Sequence, residues 1–212
     1  MIPDVAVLAV TAFALALHLL RVVSVARGVA VRRASLQMSN IARLDFLKNM
    51  LPDASIVLVL RDPIEHALSL WTQHKNFTTL QASDPFVARY MADIGHCEFG
   101  ELHRPLLFEN MGTTSARYDR NDPSYWLAYW VCAFAYVATR KDQVFLLPYE
   151  PLCADPMTWP GTLCCDLNIA SDELEAACEH VRPASLRATK ELFDPELIVK
   201  ARELFESLAQ RV

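Results

Sequence analysis

From residue 39 onward, the apolar positions follow two patterns that predict different elements. Apolar residues recur at helical spacing from 41 to 51, behind a candidate cap at Ser39 or Asn40, which predicts a helix. Residues 55–60 instead form a continuous run that is aliphatic from Ile56 to Leu60, typical of a parallel strand that is covered on both faces. A similar run over residues 143–147 predicts a second strand.

Helix starts are marked in the sequence by a repeated dipeptide. Aspartate caps the first free N–H groups of a helix, and proline fits the first helical position because it has no N–H to leave unpaired. The pair occurs at Asp62-Pro63, Asp84-Pro85, Asp122-Pro123 and Asp194-Pro195. A further helix is predicted from Ser171 to about His180. Helices between aliphatic strands indicate a helix-rich α/β fold.

Composition excludes several classes of protein. The chain has 212 residues, is 53% hydrophobic and 21% charged, and contains five glycines, which fits a globular α/β domain and excludes a disordered or fibrous chain. Its net charge is −5, although residues 1–43 carry five arginines and one acid. The acidic remainder makes nucleic acid an unexpected partner. Six cysteines without a C-x-x-C pair indicate reduced thiols in a reducing compartment.

The N-terminal segment differs from the rest of the chain. Residues 5–20 are apolar except for two positions, and arginines follow them. Two interpretations stay open: a membrane-directed segment, with its arginine side in the cytoplasm, or a stretch translated from an altered reading frame. We therefore divide the chain into residues 1–38 and residues 39–212. The location is expected to be cytoplasmic, or membrane-anchored with the domain on the cytoplasmic side.

Candidate chemistry begins where the first strand ends. Arg61 leaves the strand, and Ser69 lies eight residues later on the following helix. Ligands of open α/β sheets bind at the carboxyl edge, where a helix start favours anions and a guanidinium can bind phosphate oxygens. The pair is therefore either a phosphate site or a structural cap with a surface arginine.

The stretch from Asn40 to Ser69, with its strand, Arg-Asp-Pro turn and serine, resembles the sulfotransferase family. Residues 147–156 are similar to the family's Tyr-Glu strand end, and residues 84–105 to its bacterial members. The resemblance implies that Arg61 and Ser69 bind the 3′-phosphate of 3′-phosphoadenosine 5′-phosphosulfate (PAPS), the sulfuryl donor. A hydroxyl compound would be the acceptor.

The resemblance also implies a fold and a departure from it. Family members have a three-layer α/β fold of the P-loop nucleotide-hydrolase kind, in which a parallel sheet is flanked by helices. Their first strand is followed by a glycine- and hydroxyl-containing loop that binds the 5′-phosphosulfate. Residues 1–38 contain no such loop, and Gly28 is their one glycine. The first strand and the P-loop are therefore expected to be missing or altered.

Transfer requires a base for the acceptor hydroxyl and cationic groups for the leaving phosphate. His74, with Lys75 beside it, is the candidate base, the alternative being a surface histidine at a helix end. His66 is a weaker candidate because it follows Pro63 by one turn and would flank the phosphate. Glu150, at a strand end, is either catalytic or an ion-pair partner.

Two further groups are interpreted as structural. His96, Glu98 and His103 match no zinc-binding spacing, so no metal is expected. Trp126, Trp130 and Phe134 recur at four-residue spacing, which predicts an aromatic ridge in the core.

Three functions from different classes stay open. The chain is an active sulfotransferase, an inactive truncated remnant that still binds the nucleotide, or a membrane-associated helical interaction protein with residues 5–20 as its membrane segment. Binding of adenosine 3′,5′-bisphosphate separates the third from the first two, and transfer to a hydroxyl acceptor separates the first from the second.

Overall fold

The structure is a computed structural model, and it describes residues 38–50, 52, 55–159, 161–162, 181 and 190–210. The chain divides into two compact units. The first comprises residues 1–60 and 145–185, and the second comprises residues 61–144 and 186–212. Local sequence patterns account for many of the helices and strands of each unit.

In the first unit, a 3-10 helix over Met38–Arg43 leads into helix α1, Leu44–Met50. The predicted helix exists, but its α-helical part begins later than the sequence indicates. Both predicted caps lie inside the 3-10 helix, whose tighter turn uses the backbone groups that a cap would otherwise satisfy. Ile41 and Leu44 are the buried anchors.

Strands β1, Val57–Leu60, and β2, Phe145–Pro148, pair in parallel, with Val57 opposite Phe145. The two aliphatic runs therefore form strands as predicted. Burial differs from the prediction, because only Leu60 of β1 is fully buried. In the described part of the chain, β1 pairs with β2 alone, so one edge of each strand has no described neighbour. Helix α6, Tyr149–Ala154, follows β2 directly.

The second unit is a helical assembly around one central helix. Its helices are α2 (Pro63–Ser83), α3 (Pro85–Asp93), α4 (Met111–Arg117), α5 (Pro123–Ala138) and α7 (Pro195–Ala209). Helix α5 packs against α2, α4 and α7. Trp126, Trp130 and Phe134 are at most 1% exposed, which confirms the predicted aromatic core. An almost wholly apolar helix must be covered on every side to be stable in water.

All four predicted Asp-Pro helix starts are confirmed. Each aspartate is an N-cap whose side chain accepts a hydrogen bond from a backbone N–H of the first turn, and each proline occupies the first helical position. The dipeptide succeeds as a signal because a cap depends on residues within one turn and hardly at all on distant packing.

Asp194 is a cap that also joins three elements. Its Oδ2 accepts from the Tyr118 hydroxyl at 2.6 Å and from the Arg117 guanidinium at 2.9 Å, while its backbone N–H donates to Ser124 Oγ. The Tyr118 hydrogen bond is the first cause of the lowered pKa of the Asp194 carboxyl. Burial and then Asp194 raise the pKa of Tyr118 to about 12.

We expect Asp194→Ala to lower the free energy of unfolding by about 2 kcal/mol, because it removes a cap and two charged hydrogen bonds. Asp84→Ala is the matched control: Asp84 caps α3 through one N–H, and its loss should cost about 1 kcal/mol. Urea unfolding of both variants measures the difference. Equal losses would show that the contacts of Asp194 to α4 contribute nothing to stability.

Several predictions lie outside the described residues, among them the apolar run 5–20, the segment before residue 38 and the helix from Ser171. The boundary at residue 38 therefore stays a prediction. Among the helices that the structure describes, none has the length and apolar character needed to cross a membrane. Cys97 and Cys132 are half-buried and Cys153 is buried, and among the described residues none of the three forms a disulfide.

Candidate functional site

Arg61 lies immediately before the cap of α2, and its side chain folds back over the first turn of that helix. Its Nη2 is 3.8 Å from Oε2 of Glu65, a carboxylate that is 5% exposed, while the Arg61 side chain itself is 23% exposed. This separation exceeds a hydrogen bond, so the guanidinium is held near Glu65 by charge rather than by direct donation.

Ser69 is exposed on α2, one turn beyond Glu65. Residues four apart lie on the same side of an α-helix, about 6 Å apart along its axis. Because Arg61 extends towards Glu65, its guanidinium points along the side of α2 that carries Ser69. Helical periodicity therefore puts Ser69 on the same side of α2 as Glu65, the residue that Arg61 faces, and phosphate binding by Arg61 and Ser69 stays a prediction.

The N-terminus of α2 differs from the expected anion site in its backbone donors. Oδ1 of Asp62 accepts from the N–H groups of Ile64 at 2.9 Å and Glu65 at 3.1 Å. Two of the free amides of the helix start are thus occupied by the cap. A phosphate at this end would be bound by side chains, with the helix dipole as a secondary attraction.

A second guanidinium at this position was missed by the sequence reasoning. Arg202 of α7 places Nη1 2.7 Å from Oδ2 of Asp62, so Asp62 caps α2 with one oxygen and pairs with α7 through the other. The contact joins residues that are 140 positions apart in the sequence, so no local sequence pattern predicts it. It adds positive charge beside Asp62 at the start of the helix.

His66 lies half-buried one turn into α2, near Arg61. Burial, and secondarily the Arg61 cation, lower the pKa of His66 to about 4. Its Nδ1 is buried and has no hydrogen-bond partner in the described part of the chain. At neutral pH the ring is uncharged, and its edge packs against Phe134.

His74, the predicted base, lies in the core of the second unit. It is 1% exposed, its ring lies 5.2 Å from that of Trp126, and its Nδ1 accepts from the Gly100 N–H at 3.1 Å. Burial is the first cause of the lowered pKa of His74. The alternative of a surface histidine is therefore wrong, and the catalytic role stays a prediction. Neighbouring Lys75 lies over the ring of Trp71, 3.3 Å from its centroid.

His103 is fixed through both ring nitrogens. Nδ1 donates to the Glu98 carbonyl at 2.7 Å and Nε2 accepts from the Tyr125 hydroxyl at 2.8 Å, the one assignment that a neutral ring facing a carbonyl allows. Burial lowers the pKa of His103 to about 4 and raises that of Tyr125. His103 anchors the loop between α3 and α4 to α5.

The same loop carries a histidine paired with a carboxylate. Nδ1 of His96 lies 2.8 Å from Oε2 of Glu98, and these side chains are 33% and 28% exposed. The described residues contain no group of three side chains suited to a metal ion. Glu150, the other predicted candidate, lies in the first turn of α6 in the first unit.

Comparison with known proteins supports the family resemblance that the Arg-Asp-Pro motif at the start of α2 indicates. A protein-family model described as "Sulfotransferase family" matches residues 9–173, which is more than half of the chain. The matched range includes β1, α2 and β2. No curated protein and no solved structure matches the chain.

Proposed function

Because this chain belongs to the sulfotransferase family, we propose that it transfers a sulfuryl group from PAPS to a hydroxyl acceptor, with Arg61 and Ser69 binding the 3′-phosphate of the donor. We further propose that its sheet is part of a three-layer fold of the P-loop nucleotide-hydrolase kind. The small parallel sheet within a helix-rich chain is consistent with that architecture.

One observation supports the proposal: Nη2 of Arg61 lies 3.8 Å from Oε2 of Glu65, and Ser69 is exposed one turn beyond Glu65, which is the same side of an α-helix. A guanidinium donates two parallel hydrogen bonds to phosphate oxygens, and a hydroxyl supplies a third donor from another direction. This combination suits a dianionic phosphate monoester such as the 3′-phosphate.

Nearby acids limit the strength of this site. Glu65, 3.8 Å from Arg61, repels an anion, while Arg202 compensates for the charge of Asp62. Binding therefore requires the Arg61 guanidinium to turn from Glu65, 3.8 Å away, to the phosphate. We expect the affinity to fall with added salt, since half-exposed charges are screened.

We expect Arg61→Ala to weaken binding of adenosine 3′,5′-bisphosphate at least 30-fold, because a charged hydrogen-bonded contact contributes about 2 kcal/mol. Ser69→Ala should weaken it about fivefold, as one donor is lost. Isothermal titration calorimetry measures both. Arg89→Ala is the matched control, because the Arg89 side chain is 84% exposed on α3 and faces Asp93 at 3.8 Å; its affinity should equal that of the wild type.

The possible results separate the proposed functions. Unchanged affinity in Arg61→Ala would contradict the assignment of Arg61. If the wild-type chain does not bind the bisphosphate, the nucleotide proposal fails. Binding without transfer to any hydroxyl acceptor would identify an inactive nucleotide-binding protein.

A further inference from the structure

We propose that helix α3 is the surface through which two copies of this chain form an antiparallel dimer with two-fold symmetry. The inference does not depend on the proposed sulfuryl transfer. It rests on three properties of α3: an exposed apolar stripe, a pair of opposite charges beside that stripe, and a spacing of both that fits a second copy of the same helix.

Large apolar side chains lie on the exposed face of α3. Phe86 is 71% exposed, Tyr90 is 54% exposed and Ile94, the C-cap of the helix, is 57% exposed. Because these residues are four positions apart, they form one stripe along the helix. Apolar side chains that are contiguous on a surface mark an interaction site, whereas scattered ones do not.

The apolar stripe is turned away from the contact between α3 and α2. Met91 is 3% exposed, and its sulfur accepts from Nε2 of Gln81 of α2 at 3.1 Å. Phe86 and Tyr90 lie about 140° and 100° around the helix axis from Met91. The packing of α3 on α2 therefore leaves these two rings uncovered.

The two rings of the stripe are ordered against each other. Phe86 and Tyr90 are stacked, with their centroids 6.0 Å apart and an angle of 16° between their planes. Each ring already restricts the other, so an interface that fixes them costs less side-chain entropy than one built from separate flexible side chains. Stacked aromatic rings also present a large apolar area from few residues.

Two opposite charges lie beside the apolar stripe. Arg89 and Asp93 are 84% and 69% exposed, and Nε of Arg89 lies 3.8 Å from Oδ2 of Asp93. This separation exceeds a hydrogen bond, and an exposed pair of this kind contributes little within one chain. Each charged residue precedes a residue of the stripe by one position, so both lie on the same side of it.

The spacing along α3 fits an antiparallel second copy. In a two-fold pair centred at Tyr90, Phe86 of each protomer lies opposite Ile94 of its partner. The midpoint between Arg89 and Asp93 is only one residue, about 1.5 Å, from that centre. The same symmetry therefore places Arg89 of one protomer near Asp93 of its partner, twice, whereas a parallel copy would place like charges opposite each other.

The charges favour a second copy over other partners. Beside the stripe stand one cation and one anion, so this face has no excess of positive charge to attract an anionic membrane or a nucleic acid. It is instead complementary to itself, as a two-fold interface requires. A helix of nine residues offers less than the roughly 800 Å² per partner of a standard interface. We therefore expect a weak dimer that forms at micromolar or higher concentrations.

Sedimentation equilibrium of the full chain, from about 1 μM to 1 mM, measures this association. The mass of the wild type should approach twice that of one chain as the concentration rises. Tyr90→Ala should raise the dissociation constant at least about tenfold, because an aromatic residue at the centre of an interface contributes most to its affinity. Leu107→Ala is the matched control: Leu107 is 87% exposed in the loop between α3 and α4, and its loss should leave the dissociation constant unchanged.

Charge reversal tests the antiparallel arrangement. Arg89→Asp and Asp93→Arg should each weaken the dimer, since each places like charges opposite each other across the two-fold axis. An equimolar mixture of the two variants should form a heterodimer that is about fivefold tighter than either homodimer at low ionic strength, because both cross-pairs are then attractive. A change in the stability of one helix alone would not produce this preference.

Several results would overturn the proposal without bearing on the nucleotide site. A wild type that stays monomeric at 1 mM would show that no second copy binds to α3. A dimer that Tyr90→Ala leaves unchanged would place the interface elsewhere on the chain. A dimer that Tyr90→Ala weakens, but whose two charge variants show no preference for each other, would contradict the antiparallel pairing.

Discussion

Gly100→Ala is expected to lower the free energy of unfolding by about 3 kcal/mol, for two separate reasons. Gly100 has φ +76°, and an added Cβ would lie 2.3 Å from Oε1 of Gln81. The left-handed backbone costs an alanine about 1–2 kcal/mol. Moving the Gln81 amide aside breaks its part-buried hydrogen bond from the Glu101 N–H, 2.6 Å long, at about 1–3 kcal/mol.

Gly112→Ala is the matched control for this loss. Gly112 lies in helix α4, and an added Cβ there would meet nothing within 4 Å. Alanine favours a helix over glycine by up to about 1 kcal/mol, so this variant should be as stable as the wild type or slightly more stable. Urea unfolding compares the two.

A double variant separates the two costs of Gly100→Ala. Added to a Gln81→Ala background, the same substitution should cost only about 1–2 kcal/mol, because the steric conflict is gone and the backbone cost remains. An equally large loss with and without Gln81 would show that the conflict contributes nothing.

Acid should destabilise the folded chain well above the pH at which carboxylates titrate. The pKa values of His66 and His103 are lowered from 6.5 to about 4, mainly by burial. As the pH falls below 6.5, the unfolded chain takes up protons before the folded chain does. The free energy of unfolding therefore decreases from pH 6.5 to about 4, by about 3 kcal/mol for each imidazole.

Above pH 6.5 both imidazoles are neutral in either state, so this stability is fully present; below about pH 4 both states are protonated and it is gone. Burial also lowers the pKa of His74, which adds to the same trend. Asp194 acts in a different window, because its pKa is lowered from 3.8, and the stability it contributes is lost only below that value.

The measurement is the free energy of unfolding in urea at several pH values between 7 and 4. Its slope is the informative quantity, since substituting a buried imidazole lowers stability at every pH. His66→Gln and His103→Gln should each reduce the slope by up to about 1.4 kcal/mol per pH unit. If both variants keep the wild-type slope, these imidazoles are not neutral in the folded state.

Local features of the fold could be predicted from the sequence. The Asp-Pro helix starts, the two aliphatic strands and the buried face of α5 depend on neighbouring residues or on a short periodic pattern. The helix start after Arg61 was predictable for the same reason, whereas phosphate binding by Arg61 and Ser69 stays a prediction. The boundaries of α1 and β2 were less accurate, because 3-10 turns precede both elements.

Burial and pairing of the side chains in the candidate site depend on contacts between residues that are far apart in the sequence. His74 is buried because Trp126 and the Gly100 loop cover it, and Arg202 reaches Asp62 only because α7 packs against α2. His96 and Glu98 are close in sequence, but burial of Oε2 of Glu98 requires the surrounding fold. The sequence by itself determined the capped helix starts and named the residues that are candidates for binding an anion. The tertiary structure decided which imidazoles are neutral, fixed or accessible, because desolvation and charge pairing depend on every element around a side chain.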